Sequence, residues 1–198
     1  MKILQIGTNN GNDHVFDYVN SIKEHVELVI LVEPMPQCIP LIETQYTGIN
    51  NVIIENVAIT NQNGPETMTL YYLVDSNYEG SSFSKDHVRS LNPYDTYDID
   101  ELIVPCTTIN KLMDKHKLTY IDHLFIDAEA LDVAIVKSID FSIYSFKSIE
   151  FEMFHSEKPE SGGVGSLDSV IKLLNENGYI SAETDNVFNI TFYNENLL

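Results

Sequence analysis

The sequence predicts an α/β fold built on a doubly wound, mostly parallel sheet, and three observations carry that prediction. Strand-like and helix-like apolar runs alternate along the first 60 or so residues, the pattern of strands joined through crossover helices. Runs such as LVILV at 28–32 are apolar throughout, as strands covered on both faces are. Finally, LQIGTNNG at 4–11 runs into a helix, and about 20 residues later VILVEP ends a second strand on Glu33. This is the Rossmann-like βαβ arrangement that holds an adenosine.

KILQI opens the sheet, and a helix with the apolar face Val15, Phe16, Val19 and Ile22 follows, capped by Asn12 or Asp13. ELVILV is the second strand, IPLIETQY a proline-started helix, and NVIIENVAI the third strand. After Asn61 the alternation breaks. TMTLYYLV and ELIVPCTT read as a β-pair, separated by a polar stretch at 75–100 that contains GSSFS, NPYDTYD and the tyrosines Tyr78, Tyr94 and Tyr97. That stretch is either a surface loop or a lid over the ligand crevice, since long loops in compact domains are often functional. As a lid it would bear on an acceptor more than on a cofactor.

Thr108 then caps a helix, INKLMDKHK, and IDHLFIDAE is a buried strand ending in acids. LDVAIVKSI is a helix with Val133, Ile135, Val136 and Ile139 on its apolar face, and SIEFEMFH is a further strand. SGGVGS links to the helix SLDSVIKLLNENG, with Gly178 at its C-terminus, and YISAET and VFNITFY form a hairpin joined by Asp185 and Asn186. The expectation is one domain over 1–198, with an inserted β-pair at 62–107. Its sheet has about seven strands and closes with a C-terminal antiparallel hairpin, which places an antiparallel strand at one edge.

A chain of 198 residues suits one domain with a sizeable core. Asp and Glu number 30 against 11 Lys and Arg, a formal net charge of −19, which makes nucleic acid and anionic membrane poor partners. Met1 and Lys2 lead directly into the first strand without an apolar leader, and no run approaches a membrane span; the expected location is cytoplasmic. Cys38 and Cys106 lie far apart with no CxxC, and the histidines show no HxxxH or HExxH spacing. Free core thiols and no metal centre are expected.

The first turn differs from a dinucleotide turn in its chemistry. Gly7, Thr8, Asn9, Asn10 and Gly11 lack the middle glycine of G-x-G-x-x-G, and amide side chains fill a turn that would otherwise close on a pyrophosphate. A zwitterionic amino-acid moiety suits it better, and a nicotinamide dehydrogenase would need the glycine that Asn9 replaces. Glu33 is placed to accept hydrogen bonds from both ribose hydroxyls. Alone, the two glycines also fit a ligand-free turn and Glu33 a solvated strand end; together, in this order around a helix, they favour a nucleoside cofactor.

These residues resemble the class I S-adenosylmethionine-dependent methyltransferases and, within them, the FkbM-type family. QIGTNNG resembles that family's D/Q-x-G-A-N-x-G turn, VEP its acid-proline, and NVAIT its Asn-x-Ala. GSSFS is similar to its serine-rich element, VPCTTINKLM to its threonine-led helix, and IDHLFIDAEALD to its IDxLKIDVEGAE. The matches keep the family's order from Ile3 to LLNENGY and VFNITFY, nearly the whole chain. Three positions depart from it: Phe125 replaces a lysine, Ala130 a glycine, and Gln5 stands where an acid is commoner. The resemblance implies S-adenosylmethionine as cofactor and O-methylation of a small hydroxylated metabolite or sugar. The departures leave open a non-catalytic nucleoside-cofactor-binding protein that retains the fold.

On that reading Gln5, Gly7, Thr8, Asn9, Asn10 and Gly11 hold the methionine part and Glu33 the ribose. Pro34, Met35, Asn56, Val57 and Ala58 flank the adenine, with Met35 equally suited to the core. Methyl transfer is an in-line displacement that needs alignment, exclusion of water and a proton acceptor. Asp127, Glu129, Glu152 and His155 end strands at the crevice and are the candidate bases. Asp127 would serve equally to hold the cofactor's ammonium, Glu129 to cap the following helix, and His155 as a structural residue.

Overall fold

The computed structural model describes residues 1–61, 64–94, 96–153, 166–182 and 188–197. In chain order the strands are β1 (Lys2–Ile6), β2 (Leu28–Val32), β3 (Val52–Glu55), β4 (Ala58–Thr60), β5 (Thr67–Leu73), β6 (Ile99–Thr108), β7 (Tyr120–Ile126), β8 (Ser145–Glu152), β9 (Tyr179–Ser181) and β10 (Asn189–Asn194). The helices are α1 (His14–Ser21), α2 (Ile39–Gln45), α3 (Lys85–Ser90), α4 (Ile109–Lys115), α5 (Asp132–Ser138) and α6 (Ser166–Glu176). Seven strands form the main sheet in the order β3-β2-β1-β7-β8-β10-β9, and β4-β6-β5 form a second, smaller sheet.

Alternation along the central strands sends side chains to two cores. Leu4, Ile6, Ile30 and Val32 face the cluster that holds Ile109, Leu112, Val133, Val136 and Val170 from α4, α5 and α6. Ile3, Val29 and Leu31 face the other, with Val15 and Val19 of α1 and Ile42 of α2. Burial on both faces is why these strands are apolar throughout. Caps fix where the helices start. The Asp13 carboxylate accepts the Phe16 N–H at 2.9 Å, and the Thr108 hydroxyl accepts the Lys111 N–H at 3.2 Å.

Two expectations are corrected in detail. NVIIENVAI is two strands rather than one: the Asn56 amide donates to the Glu33 and Pro34 carbonyls at 2.8 and 3.0 Å, and the Val57 N–H closes on the Glu55 carbonyl at 3.0 Å. That kink sends β4 away from β3 to pair with β6. The antiparallel strand also lies one place in from the edge. β10 pairs antiparallel with both β8 and β9, so β9 is the edge strand. Side chains explain the choice, because Phe192 of β10 is fully buried and stacks on Phe151 at 6.0 Å, whereas Ile180 of β9 is exposed. Asp185 and Asn186, placed in the hairpin turn, lie outside the described residues, as does most of the SGGVGS link.

The carboxyl ends of β1, β2 and β7 are bound to one another. The Gly7 and Thr8 N–H groups both donate to the Val32 carbonyl at 2.9 and 3.2 Å, and the Asp127 N–H donates to the Ile6 carbonyl at 2.9 Å. Gly7 has φ +82°, and a Cβ there would lie 1.7 Å from the Asp127 carbonyl oxygen. Beyond Asp127 the chain takes two successive left-handed residues, Glu129 at φ +47° and Ala130 at φ +81°. The second is a conformation in which a side chain costs about 1–2 kcal/mol relative to glycine.

Two substitutions test these turns by urea unfolding. Gly7→Ala should destabilise the protein by about 3 kcal/mol or more, since it combines a strained φ with a clash against backbone. Ala130→Gly should fall within about 0.5 kcal/mol of the parent, because relief of strain offsets the lost methyl burial and the added chain entropy. The same exchange at Ala134, inside α5, should cost about 1 kcal/mol.

Candidate functional site

At the carboxyl ends of β1, β2 and β7 lies a cavity of about 130 Å³. Ile6, Val32, Val57, Ala58, Leu70 and Leu131 give it apolar walls, Glu33, Asp127 and Glu129 give it carboxyls, and Tyr78 to Phe83 of the excursion close its remaining side. Glu33, expected to hold the ribose, follows β2 directly and lines this cavity. The residue is 6% exposed, with Oε2 accepting the Asn9 N–H at 2.7 Å and Oε1 the Met35 N–H at 2.8 Å. Burial outweighs those two bonds and pushes the Glu33 pKa up to about 7. Asp127 is raised to about 6, first by burial and then by the neighbouring Glu129 and Asp13 carboxylates.

A second cavity of about 520 Å³ adjoins the first and shares Glu79, Gly80 and Glu129 with it. Leu73, Leu91 and Tyr97 give it apolar surface, and Asp75 and Glu152 add carboxylates. Glu129 therefore stands where the two meet. Its Oε2 lies 2.9 Å from Nε2 of His87, a buried residue of α3, and its carbonyl accepts the Ser82 hydroxyl at 3.2 Å. The Asn9 amide donates to the Asn77 carbonyl at 3.0 Å, so the excursion is tied to both strand-end turns.

Of the residues expected at the site, Gly7, Asn9, Glu33, Pro34, Val57, Ala58, Asp127 and Glu129 line the first cavity, and Glu152 lines the second. Gln5, Thr8, Asn10, Gly11, Met35 and Asn56 are not among the wall residues. Gln5 is turned under α1, where its amide donates to the Asp13 carboxylate at 2.6 Å, because the alternation of β1 points it to the α1 face. Thr8 is buried against the Val32 carbonyl, and Gly11 donates its N–H to the Thr8 carbonyl at 2.9 Å. Asn10 accepts the Asn12 N–H at 2.9 Å, and Asn56 ties the end of β2. Met35 is fully buried in the core, with its N–H on Glu33. Thr8, Asn10 and Gly11 thus build the β1 turn, while Gln5, Met35 and Asn56 brace the elements around it. His155 lies outside the described residues.

The excursion also reaches further than expected. Tyr97 lines the second cavity, but Tyr78 and Phe83 wall the first, while Tyr94 is 88% exposed. Phe125 packs edge-on to His14 at 6.0 Å on the α1 side of the sheet, outside both cavity walls. Two residues went unread in the sequence. Asp132 is fully buried, and its Oδ1 accepts the Ala128 N–H at 3.2 Å; burial raises its pKa well above the ordinary value. Its signal was the closing acid of IDAEALD. For His87 the signal was its place three residues after Ser84, whose hydroxyl caps α3.

A comparison with curated proteins finds no match. Among solved structures, methyltransferase FkbM from Methylobacillus flagellatus KT superposes with a TM-score of 0.55 at 12% identity, covering 97% of this chain and 43% of that one. The chain thus spans less than half the length of that protein. The Methanococcus jannaschii fibrillarin pre-rRNA processing protein gives 0.47 at 11% identity over 98% of this chain and 66% of its own. SMU.1697c of Streptococcus mutans, solved in complex with SAH, gives 0.47 at 11% over 98% and 88%. The Methyltransferase FkbM domain family matches residues 5–181, from the β1 turn through both cavities to β9. The sheet order, the carboxyl-lined cavity at its strand ends and that match together make this chain a member of the FkbM methyltransferase family.

Proposed function

We propose that the chain transfers the methyl group of S-adenosylmethionine to a hydroxyl of a small metabolite or sugar. The observation that carries the reading is the pair of joined cavities, with Glu33 and Asp127 on the wall of the first and Glu129 at the junction with the second. The residues fit the cofactor chemically. Glu33 accepts ribose hydroxyls, Asp127 faces an ammonium, and Val57, Ala58 and Leu70 offer apolar surface to a base. The first cavity is smaller than the few hundred Å³ that such a ligand fills, so the Tyr78 to Phe83 side has to draw back for entry.

When bound, the cofactor supplies a methyl group activated on a positively charged sulfur. The chain's own residues do the rest. The apolar wall excludes water, the second cavity aligns the acceptor oxygen, and Glu129 receives the hydroxyl proton. Asp75, Glu79 and Glu152 accept hydrogen bonds from further acceptor hydroxyls and repel anionic compounds. A net charge of −19 likewise disfavours nucleic acid as acceptor.

Calorimetric titration with S-adenosylhomocysteine and with NAD tests the cofactor, and binding of the first in preference to the second is expected. Labelled S-adenosylmethionine with a panel of neutral polyols and sugars tests the acceptor class; cofactor binding without transfer to any of them would favour a non-catalytic binder. Glu33→Ala should weaken S-adenosylhomocysteine by roughly 10- to 150-fold, the loss of hydrogen bonds to a charged group. It should also lower stability by about 1–3 kcal/mol, because two backbone N–H groups lose their acceptor.

The raised carboxyls set opposite pH trends for binding and for the ligand-free fold. Glu33 must be ionised to accept both hydroxyls and is held at about 7, so affinity should be about tenfold weaker at pH 6 than at pH 8. In the ligand-free protein the sign reverses. A carboxyl raised from 4.5 to about 7 contributes stability that is complete below its ordinary value and lost as pH rises through the folded one. Asp127 and Asp132 act in the same direction. The melting temperature of the ligand-free protein should therefore rise as pH is lowered from about 8 to about 5.5, which differential scanning calorimetry measures.

A further inference from the structure

We propose that His87 makes closure of the 75–90 segment and the positioning of Glu129 a single event, its bond to Glu129 both clamping the segment over the first cavity and setting the carboxylate that receives the acceptor's proton. The proposal rests on the methyl-transfer reading above. His87 belongs to the segment that closes, and Glu129 to the turn that stays, because β7 is held on both sides by the main sheet.

Side-chain hydrogen bonds among the described residues tie the segment to the strand-end turns at Asn9 and at Glu129. One joins Asn77 to Asn9, and two converge on Glu129, from Ser82 to its carbonyl and from His87 to its carboxylate. Local sequence prepares the histidine for this. Ser84 caps α3 through the His87 N–H at 3.2 Å, Ser82 accepts the Ser84 N–H at 3.2 Å, and the His87 side chain is 1% exposed. Glu129 is the opposite case. Its side chain is 27% exposed at the junction of two cavities, on a left-handed residue followed by another.

Such a side chain has several rotamers open to it until a partner fixes one. His87 takes one carboxylate oxygen and leaves the second for the acceptor. As the acceptor oxygen takes the methyl group and the C–S bonding pair returns to sulfur, the hydroxyl proton passes to that oxygen of Glu129. With the segment withdrawn, His87 leaves with it and the carboxylate loses its fixed aim. An exposed cofactor then meets no positioned base, which confines transfer to the covered state.

Hydrogen exchange read by mass spectrometry tests the clamp without any acceptor. In both His87→Ala and Glu129→Ala, amides of the 75–90 segment should exchange about tenfold faster or more, the effect of losing a charge-assisted hydrogen bond, while those of β1, β2 and β7 keep parental protection. Glu129→Ala breaks the same bond from the more exposed partner, so it remains informative if the buried histidine variant folds poorly. His87→Gln, which retains a donor, should lie nearer the parent than His87→Ala. S-adenosylhomocysteine should leave both alanine variants faster by a similar factor in stopped-flow displacement. Unchanged exchange in the segment, or a rise spread equally over the main sheet, would overturn the proposal. If the parent protein binds no S-adenosylhomocysteine, the cofactor reading fails, and the exchange result still decides the clamp.

Discussion

The site depends on how closely two backbones approach. Gly7 and Asp127 sit at the ends of adjacent parallel strands, and the space for a side chain on the first is filled by the carbonyl oxygen of the second. The contact fixes the spacing of the β1 and β7 turns, and the bonds from Gly7 and Thr8 to Val32 bring in the third strand end. Asn9, Glu33, Asp127 and Glu129 then fall around one cavity without long side chains reaching across it. Left-handed residues recur around this rim, at Gly7, Asn9, Tyr78, Gly80, Glu129 and Ala130. Backbone of that kind persists where the surrounding structure over-determines it, and it concentrates at functional sites.

Charge has an equally one-sided arrangement. Glu33 and Asp127 on the cavity wall and Asp132 behind it are all raised, with burial as the first cause and neighbouring carboxylates adding to it. None of them forms an ion pair with a Lys or Arg among the described residues. The ionised form of each is therefore the costly one, and a positively charged ligand, as the methyl-transfer reading requires, would favour it.

The sheet was legible because its strands announce themselves by burial. LVILV, KILQI and IDHLFI are apolar or alternating in the way their positions require, and the caps were readable as side-chain chemistry, Thr108 directly and Asp13 as one of a pair with Asn12. Glu33 and Asp127 were legible as strand-end acids. What stayed hidden depends on partners distant in sequence. Nothing local says that Gln5 turns to Asp13 rather than to the cavity, since the choice follows from the pleat of β1 and the seat of α1. The kink at Asn56 depends on the Glu33 and Pro34 carbonyls just beyond β2, 23 and 22 residues away. His87 meets Glu129 across 42 residues, and no periodicity encodes that meeting.

The position of β10 between β8 and β9 bears on how the chain assembles. β8 is synthesised, and can pair with β7, well before the strand that covers its other side exists. Until β9 and β10 have both emerged, the open side of β8 presents Ser148 to Glu152 as unpaired backbone interrupted by apolar Ile149 and Phe151. That is an exposed edge of the kind that recruits strands from other chains. β10, made well after β8, is therefore the strand that ends the vulnerability, as Phe192 reaches Phe151.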